Sequence, residues 1–188
     1  MLQSFPPVIN KYCTLLILGS MPGAVSLRKH EYYGNTRNHF WPIMYELFHE
    51  PIAESYEQRL AFLLNKRIAL WDVIQNCERE GSLDSAIKYE KINDFDSLYE
   101  QYPAIQAVLF NGTKAYQSYK KYRGFSDGRL YLTLPSTSPT PSRYIKNMQD
   151  KLGKWQIVLE LLGEKKTSRN EEIICVSSCS LKLEGKGT

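Results

Sequence analysis

Short apolar runs alternate along the chain with longer segments whose apolar residues recur every three or four positions. Four runs have the length of strands, at residues 14–19, 67–73, 107–111 and 130–134. Helical spacing occupies residues 40–48, 54–64, 95–102, 113–122 and 142–162. Strands that are apolar throughout are typical of parallel sheets covered on both faces, and parallel strands need helical crossovers. The pattern therefore predicts an α/β protein, a three-layer α/β/α sandwich around a central four-stranded parallel sheet.

Glycine, proline and serine punctuate the loops that follow these strands. The loops read GSMPG, WDVIQNCEREGS, NGTKAY and LPSTSPTPSRY. In open α/β sheets, ligands bind beyond the carboxyl ends of the strands. We therefore expect the four loops to meet at one edge of the sheet and to form a binding site there.

The first loop leads into a segment dense in polar and aromatic side chains. Its glycines allow the backbone to approach a ligand closely, and Pro22 fixes a bend. The polar and aromatic residues are Tyr32, Tyr33, Asn35, Arg37, Asn38 and His39. This mixture favours a flat ligand with polar edges, such as a nucleobase.

Length and composition favour one domain in a reducing compartment. With 188 residues and 43% hydrophobic content, the chain is long enough for one core and short for two. We expect a domain over residues 1–163 and a flexible C-terminal extension over residues 164–188. No apolar stretch is long enough to cross a bilayer and no leader pattern opens the chain, which favours a cytoplasmic protein, or a nuclear one in a eukaryote.

The four cysteines do not follow zinc-finger spacing. They are Cys13, Cys77, Cys175 and Cys179, and we interpret them as reduced thiols. A disulfide or a metal at Cys175 and Cys179 is the open alternative. We expect no metal, no cofactor and no membrane contact, and a monomeric protein.

The formal net charge of +4 is divided unevenly along the chain. Residues 112–154 hold nine Lys and Arg against two Asp and Glu, whereas residues 44–104 hold six against twelve. The basic segment is interleaved with tyrosines, which is typical of a surface facing nucleic-acid phosphates. An ordinary solvated helical face is the alternative.

Six sequence blocks carry a resemblance to a known family, and they span residues 15 to about 162. They are GSMPGAVSL, YYGNTRNHFWPI, LWDVIQNCEREGSLDSAI, Asn93-Asp94-Phe95, VLFNGTKAY and LPSTSPTPSRY. In order and approximate spacing they resemble the DNA-deoxyinosine (hypoxanthine-DNA) glycosylases of the uracil-DNA glycosylase superfamily. The resemblance implies an enzyme of base excision repair that flips a deaminated base out of DNA and hydrolyses its N-glycosidic bond. Such chemistry needs no strong nucleophile, which agrees with the lack of paired carboxylates or a Ser-His-Asp set in the sequence.

The resemblance places the catalytic asparagine at Asn38. Its amide would position the attacking water, because a carbonyl oxygen can hold the water while the amino group donates to a neighbour. Capping of the following helix is the alternative, and the two roles are compatible. The segment has Asn35-Thr36 where the family usually shows His-Pro, which leaves Asn38 in place but bears on the rigidity of the loop.

Base-binding roles follow from the same resemblance. Tyr33 corresponds to the aromatic residue that stacks on the base, with a packing role as the alternative. Asn111 would read the base edge, with an Asn-Gly turn as the alternative. Gly19, Ser20 and Met21 would complete the base site. Met21 stands where related mismatch enzymes have an asparagine, a departure that favours the deoxyinosine branch.

A further set of residues would contact the DNA backbone. Leu134 stands where the superfamily has a histidine, although the hydroxyls of the same loop can still bind phosphates. The predicted DNA-binding residues are Pro22, Gly23, Arg37, His39, Lys114, Ser136, Thr137, Ser138 and Arg143. Asp72 and Asn76 could approach the site, and we assign neither a role.

Several functions compete with hypoxanthine removal. A uracil- or mismatch-specific glycosylase and a catalytically inactive module that binds damaged DNA are the alternatives within the same fold. The sequence lacks the full glycine-rich loop of nucleotide triphosphatases, which excludes that class. It also lacks a nucleophile elbow, which makes a small-molecule α/β hydrolase the least favoured alternative. The sequence does not decide whether hypoxanthine or uracil is preferred, which opposing base is preferred, or which residue wedges into the base stack.

Overall fold

The computed structural model describes residues 1–140 and 147–164. The strands are β1 (Leu2–Gln3), β2 (Leu15–Gly19), β3 (Ile68–Asp72), β4 (Ile74–Glu78), β5 (Lys88–Ile92), β6 (Ala107–Asn111) and β7 (Leu130–Leu134). The helices are α1 (Ala24–Lys29), α2 (Phe40–Leu47), α3 (Tyr56–Asn65), α4 (Phe95–Gln101), α5 (Thr113–Tyr122), α6 (Met148–Trp155) and α7 (Ile157–Leu162). None of the helices in these ranges is long and apolar enough to cross a membrane.

The central sheet has the strand order β3-β2-β6-β7, and all three pairings are parallel. Every residue of β2, β3 and β6 is buried, whereas the edge strand β7 is partly exposed. The apolar runs therefore predicted the four strands to within two residues at each end. The predicted four-stranded parallel sheet is confirmed.

Two groups of helices surround this sheet. In the first, α2 packs against α3 and α6, with the Tyr45 and Phe62 rings stacked 4.1 Å apart and Phe40 edge-on to Trp155. In the second, the rings of Phe95 on α4 and Tyr119 on α5 lie 4.8 Å apart. Since α3 begins at a Ser55 capping box and α4 at an Asp94 cap, local sequence signals also mark these helix starts.

The polar stretch after β3 was predicted to be a loop, and this is wrong in part. Ile74–Glu78 forms β4, the centre of a second sheet with antiparallel order β1-β4-β5. Ile74 and Cys77 are fully buried and pack with Met21 in a small apolar cluster. Their burial is possible because β1, far away in sequence, supplies a partner strand.

Two helix predictions also need correction. The six-residue helix α1 follows the first loop and was not predicted, because so short a segment carries little periodicity. The long helix predicted over residues 142–162 is two helices, α6 and α7, that meet at Gln156, and residues 142–146 lie outside the described ranges. The domain boundary predicted at Gly163 stays a prediction, since residues 165–188 also lie outside them.

Candidate active site

A cavity of about 420 Å³ opens at the carboxyl ends of the parallel strands. Gly19 ends β2, Asp72 ends β3, Asn111 ends β6, and Ser136 and Thr137 follow β7, and all five line the cavity. The expectation that the four loops meet at one edge of the sheet is confirmed. The cavity is also lined by Ser20, Met21, Pro22, Gly23, Val25, Ser26, Tyr32, Tyr33, Asn35, Asn38, Ser82, Leu83, Asp84, Ser138, Pro139 and Thr140.

The amide of Asn111 joins three loops at the cavity. Its Nδ2 donates to Tyr33 Oη and to Thr137 Oγ1, each at 2.8 Å, and its Oδ1 accepts from the backbone N–H of Thr137 at 2.8 Å. Both amide hydrogens are therefore engaged by protein groups. The carbonyl oxygen has a second lone pair, so Asn111 can offer a ligand an acceptor but no further donor.

The Tyr33 ring stacks on Phe40 at the start of α2, with centroids 4.0 Å apart and planes 20° from parallel. Its backbone φ of 53° lies in the left-handed region, which is uncommon for a bulky residue. Burial, and then the nearby Asp72 carboxyl, raise the pKa of the Tyr33 phenol, so the hydroxyl stays protonated. The packing role considered for Tyr33 is therefore present, and the same ring lines the cavity.

Asn38 lies at the cavity immediately before α2. Its Oδ1 accepts the backbone N–H of Phe40 at 2.9 Å. Asn38 therefore supports the helix start from the position before the N-cap residue His39, whose own side chain makes no capping bond. The next residue, His39, donates its backbone N–H to the carbonyl oxygen of Thr137 at 3.0 Å, which ties this segment to the loop after β7. Because Asn38 also lines the cavity, capping and a role toward a ligand are compatible.

The first loop is held by contacts from the segment after β4. Ser20 Oγ donates to Asp84 Oδ1 at 2.8 Å, and the carbonyl oxygen of Pro22 accepts from the Arg79 guanidinium. Met21 is 6% exposed. It lines the cavity and also packs in the small apolar cluster, which anchors the loop to β4. Gly23 lines the cavity as the residue before α1.

Gly19 is needed where it stands because the cavity wall is crowded. A methyl group there would come within 2.3 Å of Asp72 Oδ1 and 3.3 Å of Tyr33 Oη. Asp72 and the Tyr33 hydroxyl therefore both lie against the backbone of Gly19.

Asp72 is a buried acid without a full set of partners. The residue is 4% exposed, and its Oδ2 has no hydrogen-bond partner among the described residues. Burial, and then the negative charge of Asp84, raise the pKa of Asp72 to about 8, against the opposing effect of Arg79. Burial also raises the pKa of Asp84. At neutral pH, Asp72 is therefore a carboxylic acid facing the cavity.

The predicted DNA-binding residues fall into two groups. Pro22, Gly23, Ser136, Thr137 and Ser138 line the cavity. Arg37 is exposed, and Lys114 is outside the lining and forms an ion pair with Glu90. His39 also lies outside the lining, and burial followed by the charge of Lys151 lowers its pKa. Arg143 lies outside the described ranges, and Asn76 sits on β4, paired with Gln3 and away from the cavity.

Several cations of the basic segment of residues 112–154 bind other groups of the protein. Of the seven basic residues described there, three pair with carboxylates and a fourth is buried. Lys114 pairs with Glu90, and Lys151 is buried and donates to the carbonyl oxygen of Ser138 at 2.7 Å. Arg123 and Arg129 both pair with Asp127. The phosphate-facing surface stays a prediction, because a charge count does not show which cations already have partners in the fold.

These two arginines belong to a cluster that we call the arginine–tyrosine cluster. Its members are Tyr99, Tyr119, Arg123, Asp127, Arg129 and Tyr131. The guanidinium of Arg129 lies 3.8 Å from the centroid of the Tyr99 ring, and the hydroxyls of Tyr99 and Tyr119 are 2.9 Å apart. The cluster therefore ties α4 and α5 to β7.

Sequence reasoning missed part of the cavity wall. Asp84 lies in a short 3₁₀ turn at Asp84–Ala86, and with Ser82 and Leu83 it reaches the cavity from the segment between β4 and β5. Ser82 Oγ accepts the backbone N–H of Ala24 at 2.9 Å. The one available signal was that this segment belongs to the third block of the family resemblance, which does not single out any of these residues.

Comparisons with known proteins agree with this geometry. The family model "UDG: Uracil DNA glycosylase superfamily" matches residues 6–162. A hypoxanthine DNA glycosylase of Methanosarcina acetivorans is 40% identical over 157 residues, covering 83% of this chain and 96% of the relative. One of Methanosarcina barkeri is 46% identical over 114 residues, covering 60% of this chain and 72% of the relative.

A solved structure supports the same assignment. The solution NMR structure of a candidate uracil DNA glycosylase from Methanosarcina acetivorans has a TM-score of 0.73 and 39% identity, covering 86% of this chain and 98% of that one. The predicted fold class is therefore confirmed as the α/β fold of these glycosylases, with a four-stranded parallel sheet and helices around it. The chain belongs to the uracil DNA glycosylase superfamily.

Proposed function

We propose that this protein is a monofunctional DNA glycosylase that hydrolytically removes hypoxanthine from deaminated DNA. One observation carries the proposal: Tyr33 and Asn38, from the loop between α1 and α2, and Asn111, at the end of β6, line a single cavity at the carboxyl ends of the sheet. The curated relatives from both Methanosarcina species, named hypoxanthine DNA glycosylase, support the same substrate.

The character of the cavity supports a neutral base as its occupant. None of the lining residues in the described parts of the chain is Lys or Arg, which argues against a phosphate inside the cavity. A flipped purine can stack on aromatic rings and hydrogen-bond through its edges. Tyr33 supplies a ring held by Phe40, and Asn111 supplies the free lone pair of its carbonyl oxygen to the N1–H of hypoxanthine.

The proposed reaction proceeds through an oxocarbenium-like deoxyribose. The bond between C1′ and N9 breaks, and its electron pair leaves with the base. Water then forms the new bond to C1′ and loses a proton to solvent, while the base anion takes a proton from solvent. Asn38 Oδ1 keeps one lone pair for this water while the other accepts the N–H of Phe40, so the helix start orients the amide.

The rim of the cavity would hold the DNA backbone. Ser136 and Ser138 present hydroxyl and backbone groups beside the cavity, and exposed Arg37 supplies a positive charge. Lys114 is a weaker candidate than the sequence suggested, because Glu90 neutralises it.

A single-turnover assay tests the proposal. Purified protein is incubated in EDTA with duplexes that carry hypoxanthine, uracil or xanthine at one position, and with a duplex that carries adenine there as the control. We expect free hypoxanthine and an abasic site from the first duplex and no release of adenine. Faster release of uracil would make the protein a uracil glycosylase, and DNA binding without any release would make it a binding module.

A further inference from the structure

The buried carboxyl of Asp72 has no role in the reaction as described above. It lies at the end of β3 in the wall of the cavity, with Oδ1 against Gly19 and with Oδ2 lacking a hydrogen-bond partner among residues 1–140 and 147–164. A buried polar atom without a partner costs free energy, so its persistence at a ligand site indicates that the ligand supplies the partner.

We propose that Asp72, as a neutral carboxylic acid, donates a hydrogen bond to the exocyclic oxygen of the departing base and is a catalytic residue of this site. The inference rests on the proposed function. Hypoxanthine presents an exocyclic oxygen acceptor, to which the O–H of a neutral carboxyl can donate while the N1–H of the base donates to Asn111. A carboxylate would instead place a negative charge against the oxygen that gains charge as the bond to C1′ breaks.

The surroundings of Asp72 keep it neutral. Asp84 is the like charge that faces it, and Arg79 is the opposing cation. The other titratable groups coupled to it are the phenols of Tyr32, Tyr33 and Tyr56, which carry no charge near neutral pH. Burial is the largest effect, and with Asp84 it raises the pKa of Asp72 to about 8.

This arrangement supplies a donor where charge develops. As the electron pair of the C1′–N9 bond enters the base, negative charge spreads to the exocyclic oxygen, and a fixed O–H in a buried site stabilises it. The proton stays on Asp72, and the base is protonated from solvent after release. Adenine has no exocyclic oxygen to receive this hydrogen bond, so the effect favours deaminated purines.

The test compares Asp72→Asn with the wild type in single-turnover release of hypoxanthine at pH 6.5 and pH 9.5. The amide keeps a donor and an acceptor but does not titrate. Since the N1–H of hypoxanthine also ionises in alkali, the measured quantity is the ratio of the variant rate to the wild-type rate. We expect this ratio to rise by roughly 30-fold between the two pH values, because the wild type loses its donor as Asp72 ionises.

Two further variants sharpen the result. Asp72→Ala should lose at least tenfold more activity at pH 6.5 than Asp72→Asn, and Asp84→Asn should move the alkaline loss of activity to lower pH by removing the facing charge. Glu100→Gln, an exposed carboxylate of α4 away from the cavity, is the matched control and should follow the wild type at every pH. Thermal unfolding checks that each variant is folded.

The outcomes separate the two proposals. A flat ratio in a wild type that releases hypoxanthine overturns the role of Asp72 and leaves the function in place. A wild-type rate that rises with pH, with a folded but inactive Asp72→Asn, also overturns it, because Asp72 would then act as a general base. No release by the wild type at any pH overturns the proposed function, and the role of Asp72 with it.

Discussion

The cavity and the arginine–tyrosine cluster use similar polar side chains in opposite ways. In the cluster, Asp127 accepts from Arg123, Arg129 and Tyr131 at 2.6–2.7 Å, so its carboxylate is well paired. In the cavity, Asp72 is more deeply buried, and its Oδ2 has no partner in the part of the chain that the structure describes.

The difference separates a group that stabilises the fold from one kept for a ligand. Burial alone would raise the pKa of Asp127, but hydrogen bonds from Tyr131 and the Arg129 backbone, with the contact to Arg123, lower it to about 2. In Asp72, by contrast, burial is reinforced by Asp84 and the pKa rises to about 8. A buried polar group whose hydrogen bonds are all made within the protein serves the structure. A buried polar group at a cavity that lacks a hydrogen-bond partner is a candidate for ligand binding or catalysis.

The largest effect should come from Asn38→Ala. Loss of the amide that holds water should lower the single-turnover rate roughly 100- to 1000-fold, while binding of the substrate duplex persists. Because the variant also loses the bond to the Phe40 N–H, its stability should fall by about 1 kcal/mol. Asn38→Ser keeps a capping oxygen and should recover the stability but not the rate. A wild-type rate in folded Asn38→Ala would remove Asn38 from catalysis.

Gly19→Ala should damage the cavity wall. The added methyl would lie 2.3 Å from Asp72 Oδ1, so the wall must shift, at a cost of about 1–3 kcal/mol in unfolding free energy and with a lower rate of base release. Gly153→Ala is the control, because a methyl at this position of α6 meets no atom within 4 Å. It should stabilise the helix by about 0.5–1 kcal/mol and leave the rate alone. Urea unfolding and single-turnover assays measure both effects.

The same change, tyrosine to phenylalanine, made once in the cavity and once in the arginine–tyrosine cluster, tests the comparison directly. Tyr33→Phe removes the oxygen that accepts from Asn111 and should lower the rate about tenfold, because the amide loses one of its anchors. Tyr119→Phe removes hydroxyl contacts to Tyr99 and Tyr131 and should cost about 1 kcal/mol of stability without changing the rate. Equal effects of the two variants on the rate would contradict the distinction.

The last prediction concerns how the stability supplied by the arginine–tyrosine cluster depends on acid. The pKa of Asp127 is lower in the folded protein than in the unfolded chain, so its stabilisation is present above about pH 4 and is lost as the pH falls toward 2. The difference in unfolding free energy between wild type and Asp127→Asn should therefore shrink by about 1–2 kcal/mol over this range. Denaturant titrations at several pH values measure it. A constant difference would show that the ion pairs of Asp127 contribute nothing.

The contribution of Asp72 to stability changes with pH in the opposite direction to that of Asp127. The pKa of Asp72 is raised on folding, so its contribution to stability is fully present below the ordinary range of an aspartate and declines as the pH rises toward 8.

The amino-acid sequence by itself determined the sheet and the meeting of its loops. Fully apolar runs such as Leu15–Gly19 have few structural interpretations, and parallel strands must place their carboxyl ends together. The place of Asn38 just before a helix was also predictable, because the helix start is a local signal inside a family block, whereas its catalytic role stays a prediction.

Only the tertiary structure decided how individual polar groups are used. Asn111 and Tyr33 are 78 positions apart, and Ser20 and Asp84 are 64 apart, so their bonds depend on the packing of distant segments. The burial of Asp72 and the pairing of Arg123 and Arg129 with Asp127 arise in the same way. Apolar periodicity is a local property of the chain, whereas the free energy of a buried polar group depends on which neighbours folding brings to it.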